Sequence, residues 1–184
     1  IYLDFKTAAG EVVEMQVGLS YTSIDNARLN LETETASVSF DEAKSQAREK
    51  WNEMLSRIRI EDESEENKTK FYTGLYHALL GRGLASDVNG QYRMNNGAIS
   101  PIPPDENNWP KYKHFNTDGM WGGFWNLSQL WSLVYPEQMS LYVQSNITFY
   151  KETGWLHDGV AAGTFTNGVC TTFQGVLIAA TYTC

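Results

Sequence analysis

Residues 1–5 and 12–21 alternate apolar with polar positions and are rich in β-branched and aromatic side chains, with Ala8-Ala9-Gly10 between them. A period of two predicts a hairpin or two successive antiparallel strands. Residues 22–38, which include Asn26, Arg28, Asn30 and Glu32, keep no lasting period and leave room for one short helix. The pattern changes at Ser39. Ser39-Phe-Asp-Glu42 has the spacing of a capping box, in which each side chain satisfies the other residue's free backbone N–H. Phe40, Ala43, Ala47, Trp51, Leu55 and Ile58 then recur at helical intervals, predicting an amphipathic helix of about five turns. A second helix follows the acidic run 61–66, whose carboxylates favour a helix start, and carries Phe71, Leu75, Ala78 and Leu79 up to Gly81 as the residue that ends it. Residues 81–113 read as loop, with a turn at Asp87-Val-Asn-Gly90 and prolines at 101, 103, 104 and 110. Two helices are expected over 119–134 and 137–150, separated by Tyr135-Pro136, and another from 169 onward. The fold class is mainly α with a short N-terminal β part, and no internal repeat is visible.

Composition narrows the partners. The chain has 184 residues, 42% hydrophobic and 13% aromatic, enough to bury a core. Fourteen basic residues against 22 acidic ones give a net charge of -8, which repels a phosphate backbone, so no nucleic acid is expected. No run approaches the roughly 18 to 20 apolar residues that cross a bilayer, and the start has no basic-then-apolar export signal. Any signal peptide has been removed or lies outside the chain. Cys170 and Cys184 are too few for a disulfide framework and read as plain thiols. Both ends lack the caps and breakers of natural termini, so a piece of a longer protein is expected.

The densest candidate chemistry is His114-Phe-Asn-Thr-Asp-Gly-Met-Trp-Gly-Gly-Phe-Trp-Asn126, where aromatic rings, glycines and a carboxylate meet at a helix start. Aromatic faces stack on the apolar faces of sugar rings, while carboxylates and amides bond to hydroxyls. Trp121, Trp125 and Trp131 fit interhelical packing equally well on spacing alone. Asp118 and Asp87 are candidate sugar contacts, although an Asp before a helix or in a turn is more often a cap. His77 reads as a packing residue, and His157-Asp158 as a loop pair, either orienting a ligand or forming a surface turn. No nucleophile with its base, no HExxH or cysteine cluster and no phosphate-cradling loop is evident.

Phe71-Tyr-Thr-Gly-Leu-Tyr-His-Ala-Leu-Leu80 followed by Ser86-Asp-Val-Asn-Gly-Gln-Tyr92 resembles a signature of glycoside hydrolase family 92, the calcium-dependent exo-α-mannosidases. Ser20-Tyr-Thr-Ser23, Ala27-Arg-Leu-Asn30 with Glu34, and Ala47-Arg-Glu-Lys-Trp-Asn52 follow the family's order. The resemblance implies three parts: residues 1–38 as C-terminal strands of a β-sandwich, 39–62 as a linker helix, and 63–184 as the first helices of an (α/α)6 barrel. It also implies release of terminal α-linked mannose with inversion, a mannose-containing glycan as partner, a bound Ca2+ ion, and a periplasmic or extracellular location. The family's acid, base and calcium ligands come from later barrel segments, so no catalytic residue and no metal ligand is expected in this chain. The family's Trp-Asp pair, whose Asp contacts the terminal mannose, is matched here by Trp121-Gly122. The carboxylate is missing at that position, and Asp118, one helical turn earlier, is its candidate replacement. The expected sugar subsite is therefore Trp121, Asp118, Trp125 and Gly122. The alternatives are a non-catalytic carbohydrate-binding relative, or another (α/α)6 glycosidase or phosphorylase. An incomplete barrel leaves apolar faces in water, so the isolated chain is expected to associate.

Overall fold

A serine side chain starts each of the first three helices. In α1 (Ile24–Thr35), Ser23 accepts from the Asn26 N–H. In α2 (Phe40–Leu55), Ser39 accepts from the Glu42 N–H and the Glu42 carboxylate accepts from the Ser39 N–H, completing the expected capping box. In α3 (Glu65–Leu79), Ser64 accepts from the Asn67 N–H. The computed structural model describes residues 2–80, 83–117, 120–123, 125–166 and 173–183; the side chains of 120, 121, 165, 166 and 183 are not described. Gly81, Asp118, Cys170 and Cys184 lie outside these residues.

Four more helices follow: α4 (Met120–Gly123), α5 (Leu127–Val134), α6 (Pro136–Thr153) and α7 (Phe173–Thr183). Where a single helix was expected over 119–134, α4 and α5 are separate, with a turn at Trp125 and Asn126 before α5. Pro136 opens α6, where its missing N–H costs nothing. Gly154 ends it in the left-handed region, its N–H donating to the Tyr150 carbonyl. The apolar core lies between α5, α6 and α7. Met139, Tyr142, Val143 and Leu177 are buried there, with Trp131, Ile147 and Ile178 packed against them. Trp131 stands edge-on to Tyr142 at 5.5 Å, and its Nε1–H donates to the Ala78 carbonyl at the end of α3. The α2 terminus is fastened at the α5–α6 corner. Fully buried Tyr135 donates its hydroxyl to the Met54 carbonyl, Arg57 lies over its ring, and Arg57 pairs with Glu137.

Three sequence expectations change. Residues 2–22 make the turn expected near Gly10, with the Glu11 N–H donating to the Ala8 carbonyl, but they form no strand. Residues 22–38 hold a full helix, and its one buried residue is Asn26. A helix that packs through amides shows no apolar period, which is why the pattern hid it. The loop 81–113 contains a hairpin, β1 (Gln91–Arg93) with β2 (Ile99–Pro101), and a second antiparallel pair joins β3 (Gly159–Ala161) to β4 (Thr164–Thr166). The β3–β4 turn is Ala162-Gly163, both at positive φ. This is the two-residue hairpin turn usually marked by Asn-Gly. Ala162 is held there by its own N–H donating to Asn116 Oδ1 and by Arg93 Nη1 donating to its carbonyl.

The stripe of α2 is only partly used. Trp51 meets Tyr76 of α3 with ring centroids 4.4 Å apart, while Phe40 at the other end is 65% exposed. Val12, Val13, Met15 and Val17 line an apolar groove with Phe40 and Ala43. Among the described residues no helix is long and apolar enough to cross a membrane.

Candidate functional site

The segment carrying Trp121, Gly122 and Trp125 is aimed by four residues before it. The His114 carbonyl accepts from the Ala85 and Ser86 N–H groups, and the His114 N–H donates to Ser86 Oγ. The Phe115 N–H donates to Ser145 Oγ on α6, the Asn116 N–H to the Gly83 carbonyl, and the Thr117 N–H to the Val160 carbonyl of β3. His114, Asn116 and Thr117 are all buried. The backbone polar groups of residues 114–117 are thus taken up by three different elements. Burial lowers the His114 imidazole to about 4, so it is neutral at physiological pH and packs on the Tyr92 ring at 4.4 Å.

Of the expected sugar contacts, Asp118 lies outside the described residues, and Trp121 falls on α4, its side chain not described. Trp125 follows α4 with 73% of its surface exposed, whereas Trp131 is a core residue. The two readings left open by their spacing therefore divide between them: Trp131 is packing, and Trp125 presents a face that a sugar ring can cover. At Gly122 a Cβ would meet nothing within 4 Å. No crowding demands glycine there.

Asp87 was legible as a turn residue, and the turn is present, with the Gly90 N–H donating to the Asp87 carbonyl at 2.8 Å. The role of its side chain was not. The carboxylate is 6% exposed and accepts from Ser20 Oγ at 2.9 Å, from Thr22 Oγ1, from Asn26 Nδ2 at 3.0 Å and from Asn30 Nδ2 at 2.8 Å. The Asn30 amide also bridges the Leu19 carbonyl and the Val88 N–H, and Asn26 reaches Gln91 and Asn89. Ser20, Thr22, Asn26, Asn30 and Asp87 are thus one cluster, spanning 57 to 67 residues of sequence and joining α1 to the loop before β1. Asn26 and Asn30, four apart on one helix face, were the signal available in the sequence.

These partners also test the Asp87 cluster as a calcium site. A calcium shell presents oxygen lone pairs inward, whereas here the carboxylate oxygens are already occupied by hydroxyl and amide donors. Among the described residues no three His, Cys, Asp or Glu side chains converge to hold a metal ion. The residues present do not fit a calcium site.

A second polar group lies at the far end of α6. Glu152 Oε1 accepts from the Tyr92 hydroxyl at 2.6 Å. Burial raises the Glu152 carboxyl, partly offset by the Tyr92 hydroxyl and the Asn95 backbone. Burial and the adjoining carboxylate push the Tyr92 phenol up in turn. His157-Asp158, one of whose readings was a surface turn, is drawn inward: Asp158 is buried, the His157 ring stands edge-on to Phe149 at 5.2 Å, and its carbonyl accepts from Gln174 Nε2.

Residues 26–184 match the model of the glycosyl hydrolase family 92 catalytic domain. No curated protein matches the sequence. The fold is similar to that of a family GH92 α-mannosidase from Bacteroides thetaiotaomicron, at 22% identity and a TM-score of 0.77, covering 87% of this chain and 21% of that one. The same enzyme in complex with mannoimidazole aligns with a TM-score of 0.71 at 22% identity, over 82% of this chain and 19% of that one. A family GH92 inverting mannosidase from Bacteroides thetaiotaomicron aligns at 24% identity and a TM-score of 0.71, over 89% of this chain and 21% of that one. The chain therefore spans about a fifth of the solved structures it resembles.

Proposed function

Because the chain belongs to glycosyl hydrolase family 92, we propose that it is part of an exo-acting enzyme that releases terminal α-linked mannose from a mannose-containing glycan with inversion of configuration. The observation that carries this reading is the family match over residues 26–184, supported by the likeness in fold to mannosidases of that family. In this reading 39–62 are a linker helix and 63–184 begin an (α/α)6 barrel; residues 2–38, which form no strand, stand before them. Inversion requires one carboxylic acid to protonate the leaving oxygen and a second carboxylate to activate water on the opposite face, about 6.5 to 9.5 Å apart. Neither is assigned to a residue of this chain, nor is any calcium ligand; calcium, where bound, draws its ligands from elsewhere in the enzyme. The work of this chain is positioning. Trp125 and Trp121 offer ring faces, Asp118 a hydroxyl acceptor, and Gly122 an open backbone approach. The enzyme acts in the periplasm or outside the cell.

The test is mannose release from α-1,2-mannobiose by the full-length natural polypeptide, with calcium and with a chelator, and the product anomer followed by proton NMR. Calcium-dependent release with β-mannose as the first-formed anomer is expected. Release of α-mannose first would overturn inversion, and no release from any α-mannoside would overturn the activity. Gly122 motivates a second reading, a carbohydrate-binding relative without turnover, which predicts saturable mannoside binding and no product.

A further inference from the structure

The end of α6 carries a cleft that the reading above does not use. It has a volume of about 290 Å3 and is walled by the turn after β1, the last turn of α6 and the loop leading to β3. That lies at the lower end of the range of ligand clefts, about 300–1,000 Å3, and suits one ring rather than an extended chain. Trp155, on the loop, is 60% exposed. The Thr153 hydroxyl fixes that loop, accepting from the Trp155 N–H at 3.2 Å. Glu152 forms part of the wall, and its Oε2 is buried without a hydrogen-bond partner. A buried acceptor left short of a donor marks a place where an added hydroxyl or water is favoured. Asn95 and Asn96 supply side-chain amides; Asn96 spends its oxygen on the Ala98 N–H, which leaves its NH2 as donor. Among the described residues no Lys or Arg lines the cleft, and the carbonyl end of α6 adds negative potential, so anions are disfavoured. An aromatic face with hydroxyl acceptors and amide donors, and without a cationic group, is the chemistry of a neutral sugar contact.

Position ties this cleft to the 118–125 segment. α6 follows α5 directly at Tyr135 and packs back along it, through Trp131 against Tyr142. The β3–β4 hairpin bridges the two places. Its Val160 carbonyl holds Thr117, the residue before Asp118. Its tip closes on the wall of the cleft: Gly163 sits so near the Arg93 and Met94 carbonyls that a Cβ there would clash, and Arg93 bonds to the Ala162 carbonyl.

We propose that the cleft formed by Asn95, Asn96, Glu152, Trp155 and His157 is a second carbohydrate contact, taking a neutral hexose of the same glycan beyond the mannose held by the 118–125 segment. This rests on the mannoside reading and adds to it a preference for longer chains. The test uses the full-length polypeptide and compares wild type with Trp155→Ala, Trp155→Phe and Glu152→Gln on α-1,2-mannobiose and α-1,2-mannotetraose. Trp155→Ala is expected to raise KM for the tetraose about five- to tenfold, with kcat and all constants for the biose unchanged. Trp155→Phe should restore most of the loss, and Glu152→Gln should give a smaller rise for the tetraose alone. Equal effects on both substrates, or none on either, would overturn the proposal while leaving the mannosidase reading intact. Should the wild type hydrolyse neither substrate, the mannosidase reading fails, and the cleft is then judged by calorimetric titration with the tetraose: binding abolished by Trp155→Ala supports it, and absent or unchanged binding refutes it.

Discussion

The Asp87 cluster and the 118–125 segment are both rich in groups that bind sugars, yet they stand in opposite states. Around Asp87 the donors have found an acceptor within the chain: two hydroxyls and two amides converge on one carboxylate. Along 118–125 the backbone before the segment is just as tightly held, but the aromatic face it delivers at Trp125 stays in solvent, and Gly122 stands in open space. A satisfied polar cluster specifies how two parts of a chain meet. An exposed aromatic face is what the proposed sugar contact uses.

Asp87→Ala should produce the largest effect. It removes the common acceptor of four donors in a buried place, and a loss of about 3 kcal/mol or more is expected in urea melts, together with faster proteolysis within 17–38. Asp87→Asn keeps the shape but turns one oxygen into a donor facing other donors, and should lose somewhat less. A change below about 0.5 kcal/mol in either would show that the cluster does not hold α1 to the loop.

His114 comes next. Its folded-state value is lowered to about 4 by burial, below the ordinary 6.5, so the unfolded chain takes up a proton first as the pH falls. The stability it contributes is present above pH 6.5 and is lost progressively toward pH 4, by about 3 kcal/mol in all. His114→Phe should flatten that part of the pH–stability curve, and an unchanged slope would contradict burial of the imidazole.

Trp125→Ala should leave the melting temperature within about a degree while weakening mannoside binding about tenfold, because the exposed ring contributes little to packing. Smallest in stability is Gly122→Asp, expected within about 0.5 kcal/mol of wild type, since the added Cβ meets nothing within 4 Å. Its value is functional: it should strengthen mannoside binding, and weaker binding would mean that the glycine is required by the ligand.

The contrast also explains what could be read from the sequence. Ser39 with Glu42, Pro136 and the stripe of α2 were legible because caps and apolar periods are local signals. α1 was hidden because its buried face is made of amides whose partner lies some sixty residues on. The β3–β4 hairpin was hidden because its turn is Ala162-Gly163, a sequence held at positive φ by Asn116 and Arg93 rather than by its own preference. The aromatic run was legible as a cluster of rings, but its division into a core tryptophan at 131 and an exposed one at 125 needed the packing of α5 on α3 and α6. The exposed groove along Val12, Met15 and Phe40 was foreshadowed only as a tendency of the isolated chain to associate. Light scattering of the 184-residue chain should find oligomers that Phe40→Ser reduces, and a monodisperse monomer would contradict this.

The most direct test of the division between framework and reader is a calorimetric titration of mannoimidazole into the full-length polypeptide. It compares wild type, Asp118→Ala, Trp125→Ala and Asp87→Asn, each at a temperature where it is folded. The account predicts that the Asp118 and Trp125 variants weaken binding about tenfold or more, while Asp87→Asn binds like wild type. Equal loss in all three, or undiminished binding in the first two, would contradict it.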